Sequence, residues 1–181
     1  MKNTQSSQSV AVIIGSAWND GNTAKSVDVL CEKLPDTPLR IDLSQLQIMP
    51  FEYGAHHDRD DFRSVIAMML QSEHIVFATP VYWYAMSGVM KGFFDRLTDL
   101  LLDQNDRTTG HALAGQNVWL LANGSGTDFP AGFTVPFEQT ASYLAMNWRD
   151  ALYVQAEGSG ALSTKAVSAI CRLARVIGGI A

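Results

Sequence analysis

Three short segments hold most of the residues whose types and spacing could do chemistry. The first, Gly15-Ser16-Ala17-Trp18-Asn19-Asp20-Gly21-Asn22-Thr23, follows the apolar run Val10–Ile14 and precedes a helix-like pattern. A nucleoside-triphosphate loop needs four residues between its glycines and then Gly-Lys-Ser/Thr. Here five residues separate Gly15 from Gly21, and Asn22 stands where the lysine belongs, which argues against NTP hydrolysis. A dinucleotide loop needs Gly-x-Gly-x-x-Gly, and the bulk of Trp18 would obstruct the backbone's approach to a pyrophosphate. A terminal monophosphate fits better. A helix N-terminus binds one through free N–H groups and its dipole, without a cation, and Ser16, Asn22 and Thr23 could add hydrogen bonds. The alternative is purely local: Asn22 or Thr23 caps the helix and the glycines shape a turn.

The second segment, Thr79-Pro80-Val81-Tyr82-Trp83-Tyr84-Ala85-Met86-Ser87-Gly88, sets three aromatics and a methionine directly after an apolar strand. Such a cluster is costly in water unless it packs on something flat and apolar. A planar heteroaromatic ring would serve; so would a second subunit or the helix that follows. In the third segment, Asn123 to Gly132, Gly124 and Gly126 let backbone come close to a ligand edge.

Other candidates read as structure. Lys91 and Asp95 lie four apart on one helical face, the spacing of a surface ion pair, and Arg96 follows them. The adjacent His56 and His57 point apart and have no ligand-spaced partner, so no metal is expected. His57 or Arg59 could touch a nicotinamide phosphate or a neighbouring subunit. Asp60 or Asp61 is placed to cap a helix starting at Phe62.

The elements that must position these residues alternate. Apolar runs without period-two alternation mark buried strands at 10–14, 75–78 and 118–122, and a shorter run at 39–43 and a weaker one near 152–154 bring the count to five. Helical spacing marks 23–34, 61–71, 88–102, 133–147 and 163–177. Alternation of this kind implies right-handed crossovers, a parallel sheet covered on both faces, and ligands at the carboxyl ends of the strands. The connection from Pro50 to Asp61 is long, as functional loops often are.

Composition narrows the class. The 181 residues, 47% hydrophobic, suffice for one domain spanning 1–181 with a substantial core. A net charge of −5 leaves no basic stripe for nucleic acid. Cys31 and Cys171 form no CxxC pair, which fits a reduced cytoplasmic setting. The residues before Ser9 do not resemble a signal peptide, and polar interruptions in the stretch 65–84 exclude a membrane span there. A mean hydropathy of +0.03 is high for a small soluble domain and points to apolar surface meeting a second subunit.

Three loops at the ends of strands one, three and four are thus expected to surround one crevice, with phosphate chemistry at one end and an aromatic plane at the other. FMN has that shape. The same blocks, Gly15-Ser16…Gly21-Asn22-Thr23, Pro80-Val81-Tyr82-Trp83-Tyr84 and Ser87-Gly88-Val89-Met90-Lys91-Gly92-Phe93-Phe94-Asp95-Arg96, resemble the flavodoxin-like NAD(P)H-dependent FMN reductase and quinone reductase family over roughly residues 9 to 150. The resemblance implies a flavodoxin-like α/β/α sandwich with a five-stranded parallel sheet of order 2-1-3-4-5. It implies FMN as cofactor, NADPH or NADH as donor, a homodimer or homotetramer, and transfer of hydride through the flavin to a quinone, flavin, azo or similar acceptor.

By the same resemblance Ser16, Asn22 and Thr23 hold the phosphate, and Trp18 or Asn19 reaches the ribityl chain. Pro80, Val81, Tyr82, Trp83 and Tyr84 line the isoalloxazine, while Asn123, Gly124 and Gly126 close its other side. No catalytic side chain is expected, since the flavin carries the chemistry. Many members have arginine or lysine in the first loop; this chain has none there. The alternatives are a flavodoxin-type electron carrier and a flavin-free interaction module of the same fold.

Overall fold

The computed structural model describes residues 10–54, 59–102, 112–156, 158 and 160–179. Five parallel strands, β1 (Val10–Ile14), β2 (Leu39–Asp42), β3 (His74–Tyr82), β5 (Asn117–Gly124) and β6 (Asn147–Gln155), lie in the order β2-β1-β3-β5-β6. This is the expected flavodoxin-like order. A sixth strand, β4 (Ala85–Met86), was not expected and pairs antiparallel with the end of β3.

Strand alternation divides the core between the two faces of the sheet. Ala11, Ile13, Ile75 and Phe77 point toward α2 (Phe62–Leu70), α3 (Gly88–Arg96) and α5 (Val135–Tyr143), where Val65, Phe93 and Phe137 meet them. Val12, Ile14, Val76 and Leu121 point toward α1 (Asn22–Lys33) and α6 (Thr164–Ile177), where Val27, Leu30 and Ile170 meet them. Because both faces are covered, the inner strands β1, β3 and β5 carry continuous apolar runs, whereas the edge strands β2 and β6 do not.

Two expected helices are shorter than their sequence patterns. The 88–102 pattern breaks after Arg96, and α4 (Asp99–Leu102) follows separately. Between them Leu97, Thr98 and Leu100 bond to carbonyls three residues back, which tightens the turn. The 133–147 pattern yields α5 only to Tyr143, because Ala145 turns to a φ of 54° and the chain leaves for β6.

The connection after β2 is clamped by one buried cation. Arg96, only 2% exposed, pairs with Asp60, donates from Nε to Asp99 at 2.7 Å and from its terminal nitrogen to the Met49 carbonyl at 2.9 Å. Burial by itself would raise the Asp60 carboxyl, but Arg96 and the N–H groups of Met49 and Phe62 outweigh it and hold the group below its ordinary range. Asp61 sits at the N-cap of α2 without a side-chain cap bond; its carboxylate accepts the Gln47 N–H instead. The capping contact to Phe62 N–H, 3.1 Å, comes from Asp60.

At the amino end of the sheet the Trp119 indole donates to Nδ1 of His74 at 3.1 Å. Burial pushes the His74 imidazole below its ordinary value; Glu73 opposes the shift and Arg149 adds to it. The unfolded chain therefore takes up a proton near pH 6.5 that the folded chain refuses until lower pH, so stability falls as pH drops through that window. Urea unfolding at about pH 7.5 and about pH 5.5 measures the loss. His74→Gln, whose amide oxygen can still accept the Trp119 N–H, is expected to flatten it.

Candidate active site

Gly15 begins the first loop where β1 passes under α3. Its N–H donates to the Ala78 carbonyl at 2.8 Å, and a Cβ there would stand 2.6 Å from Cβ of Met90. Only glycine fits. Ser87 joins this loop to the next: its hydroxyl donates to the Gly15 carbonyl at 2.6 Å and accepts the Met90 N–H at 3.0 Å, capping α3.

The loop is folded on itself. The buried Ser16 hydroxyl donates to the Trp18 carbonyl at 3.1 Å and accepts the Trp18 N–H at 3.2 Å, while Trp18 and Asn19 are exposed. Neither Asn22 nor Thr23 caps α1, contrary to the local reading: the N-cap is Gly21, which has no side chain to do so. The Asn22 amide instead donates to the Gly158 carbonyl at 2.8 Å, and Thr23 is buried. The first-turn N–H groups of Asn22, Thr23 and Ala24 are thus left without a side-chain cap, as an anion-binding helix end requires.

The aromatic segment is a tight hairpin. Tyr82 pairs with Ala85, and the two residues between them, Trp83 and Tyr84, have φ of 49° and 67°. Positive φ at both central positions is the signature of a type I′ turn, which favours Asn-Gly. Trp83 is 93% and Tyr84 77% exposed, so no packing within the described chain holds these rings in that backbone. Pro80 is buried inside β3, opposite Asn123 and two residues past the last pair with β1, where the sheet tolerates it.

Across from the hairpin, the segment from Gly124 to Pro130 forms a second wall, and a crevice of about 550 Å³ separates the two. Tyr153 of β6 completes its lining, with its ring edge-on to Phe129 at 5.2 Å. Burial pushes the Tyr153 phenol above its ordinary value; the Gly126 backbone opposes the shift and Asp128 adds to it. Asn123 points away from the crevice: it is buried, its amide donates to Ser26 of α1 at 2.8 Å, and its Oδ1 finds no partner among the described residues.

Of the expected site residues, Val81, Trp83, Tyr84, Gly124 and Gly126 share one crevice. Ser16, Asn22 and Thr23 lie along the first loop and the start of α1. Tyr153 is new, and its only trace in the sequence was its place at the end of a weak strand. Lys91 and Asp95 form the surface pair that their spacing predicts, both half exposed. Lys91→Ala is expected to change stability by no more than about 0.5 kcal/mol, read by urea unfolding, and to leave turnover intact. His56 and His57 lie outside the described residues, and Arg59 is exposed.

A flavodoxin-like sheet with an uncapped helix end and an aromatic crevice at its carboxyl edge defines a flavin-binding class of protein. Residues 9–133 match the model of the NADPH-dependent FMN reductase family, and the chain belongs to that family. YwqN of Bacillus subtilis, provisionally named an NAD(P)H-dependent FMN-containing oxidoreductase, is 31% identical over 160 residues, 83% of this chain and 85% of that protein. Among solved structures, the Trp repressor binding protein from Bacillus subtilis superposes with a TM-score of 0.74 at 26% identity, covering 91% of this chain and 99% of that one. An NADPH-quinone reductase from P. pentosaceus shares the fold, with a TM-score of 0.63 at 17% identity over 92% of this chain and 98% of that one. The protein is accordingly an NAD(P)H-dependent oxidoreductase with FMN as its cofactor.

The residues present suit that cofactor. A Cβ on Gly124 would fall 2.5 Å from the Tyr153 oxygen and 3.3 Å from Val81, so the narrow part of the crevice depends on bare backbone there. Its opposite wall is aromatic and unpartnered. A cavity of about 270 Å³ at the amino ends of the strands, beside Pro35, Glu73 and His74, has neither aromatic wall nor helix N-terminus.

Proposed function

We propose that the enzyme reduces a quinone, a free flavin, an azo compound or a similar small planar acceptor, in turn with NAD(P)H, at the crevice between the Trp83–Tyr84 hairpin and the Gly124–Pro130 segment. The observation that carries this reading is the exposed aromatic hairpin held at positive φ opposite a glycine wall, at the same edge of the sheet as the uncapped start of α1. Open flat surfaces of that kind suit two planar substrates that must take turns.

FMN, when bound, would supply the redox chemistry between NAD(P)H and the acceptor. The chain's own residues bind and orient. The backbone N–H groups of Asn22, Thr23 and Ala24 would hold the phosphate, joined by the Ser16 hydroxyl once it leaves its turn with Trp18. Trp18 and Asn19 border the ribityl path. Val81, Tyr82, Trp83 and Tyr84 would cover one side of the ring, with Pro80 fixing the start of the hairpin, and Gly124 and Gly126 the other. The amide of Asn123 supports that wall from α1. The working unit is one domain spanning 1–181, assembled as a homodimer or homotetramer in the cytoplasm, without nucleic-acid or membrane partners; the exposed apolar side chains at the hairpin favour assembly.

The test is anaerobic. The protein is loaded with FMN, freed of excess flavin and mixed with NADPH and then NADH, while the visible spectrum is recorded. Rapid bleaching by either nucleotide, reversed by a quinone, is expected. Retained flavin that only dithionite bleaches would make the protein an electron carrier, and failure to retain flavin would remove the site itself.

A further inference from the structure

Tyr153 lies beyond the stretch that matches the family model, and none of the three loops includes it. Its phenol nevertheless stands in the crevice lining, against the backbone of Gly124. The position a Cβ would take on Gly124 is 2.5 Å from its oxygen, and the corresponding position on Gly126 is 3.4 Å away. The ring is fixed from behind by Phe129. The Gly126 backbone faces the phenol oxygen as a donor. A partly exposed phenol that lines a cavity can donate its O–H to a molecule seated there.

We propose that Tyr153 is a ligand-binding residue whose O–H donates to a ring carbonyl of the planar molecule in the crevice. A phenol suits this task because it donates from a rigid ring and needs no charge. With an ordinary value of 10.0, which burial pushes higher, the phenol keeps its proton and its donor across the neutral range. The glycine at 124 is then required for a second reason: it leaves room for the hydroxyl as well as for the ligand.

The carbonyl belongs either to the flavin or to the acceptor, and the inference rests on the crevice being the flavin site. Tyr153→Phe keeps the ring and its packing on Phe129 and removes only the hydroxyl. FMN titrated into the flavin-free wild type and into the variant, followed by flavin fluorescence, gives the first comparison. A roughly three- to tenfold weaker FMN affinity, the loss expected for one hydrogen bond, places the carbonyl on the flavin. Unchanged FMN affinity with a similar rise in KM for a quinone, and a lower ratio of quinone to ferricyanide kcat/KM, places it on the acceptor, since ferricyanide has no carbonyl. If neither quantity moves, the inference is wrong. If the wild type itself takes up no FMN, the proposed site falls first and this inference with it.

Gly124→Ala supplies a second arm. Its methyl must displace the phenol, so it is expected to reproduce the binding defect in the native background and to add little to Tyr153→Phe. An equally large effect in both backgrounds would show that the phenol is not the group through which position 124 acts.

Discussion

Arg96→Met is expected to lower the stability of the fold by about 3–5 kcal/mol, measured by urea unfolding at neutral pH. The guanidinium is 2% exposed and its partner Asp60 3%, so removing the cation leaves one carboxylate buried without its counter-charge and a second, on Asp99, without its donor. A domain of this size has about 5–15 kcal/mol in total, so the variant sits near the edge of folding. The damage has a direction. Met49 and Asp60 are the two ends of the connection that Arg96 pins against α3, and that connection is the part expected to become protease-sensitive. Adding Asp60→Asn should recover part of the loss, because the uncompensated charge is then removed; a loss under about 1 kcal/mol in the single variant would show that the pair is not held as described. In the native protein the depressed Asp60 carboxyl contributes stability that is complete above its ordinary value of 3.8 and is lost as pH falls below it.

The second large effect pairs a gain with a loss. Trp83→Asn with Tyr84→Gly installs the residues that a type I′ turn prefers, and the flavin-free protein is expected to become more stable by about 1–2 kcal/mol as the positive-φ strain is relieved. The same change removes the aromatic wall, and FMN binding is expected to weaken by about 1–3 kcal/mol, roughly 5- to 150-fold, the range for stacking a heterocycle on an aromatic side chain. Thermal unfolding and fluorescence titration read the two quantities separately. Opposite signs are the mark of strain kept for binding. If stability falls as well, the rings hold the hairpin together, and the exposed conformation of Trp83 has another cause.

Most of the architecture was readable because the strands of a doubly covered parallel sheet are apolar throughout and end in glycine or polar turns. Val10–Ile14 followed by Gly15 is such a case. What local patterns could not reveal depends on contacts between distant residues. Arg96 looked like a neighbour of Lys91 and Asp95 on a surface helix, and only the return of Asp60 across the fold makes it a core residue. The hairpin was hidden because Trp-Tyr is the wrong pair for its turn; local propensity yielded to whatever the rings are kept for. Asn123 sits in the right loop, yet its side chain faces α1 through strand alternation, which a glycine-rich stretch obscures. Tyr153 was missed because β6 is an edge strand with mixed exposure, so its periodicity is weak.

The hydroxyl of Ser87 holds the Gly15 carbonyl and the first turn of α3 at once. The first loop and the aromatic hairpin are therefore tied to each other through one side chain. Two sites held at a fixed separation act as one bidentate receptor, in which seating the first group raises the effective concentration of the second. Free riboflavin together with inorganic phosphate would forgo that advantage, however well each fits its own half. On the proposed function, discrimination between the phosphorylated and unphosphorylated flavin would draw on the distance that Ser87 maintains.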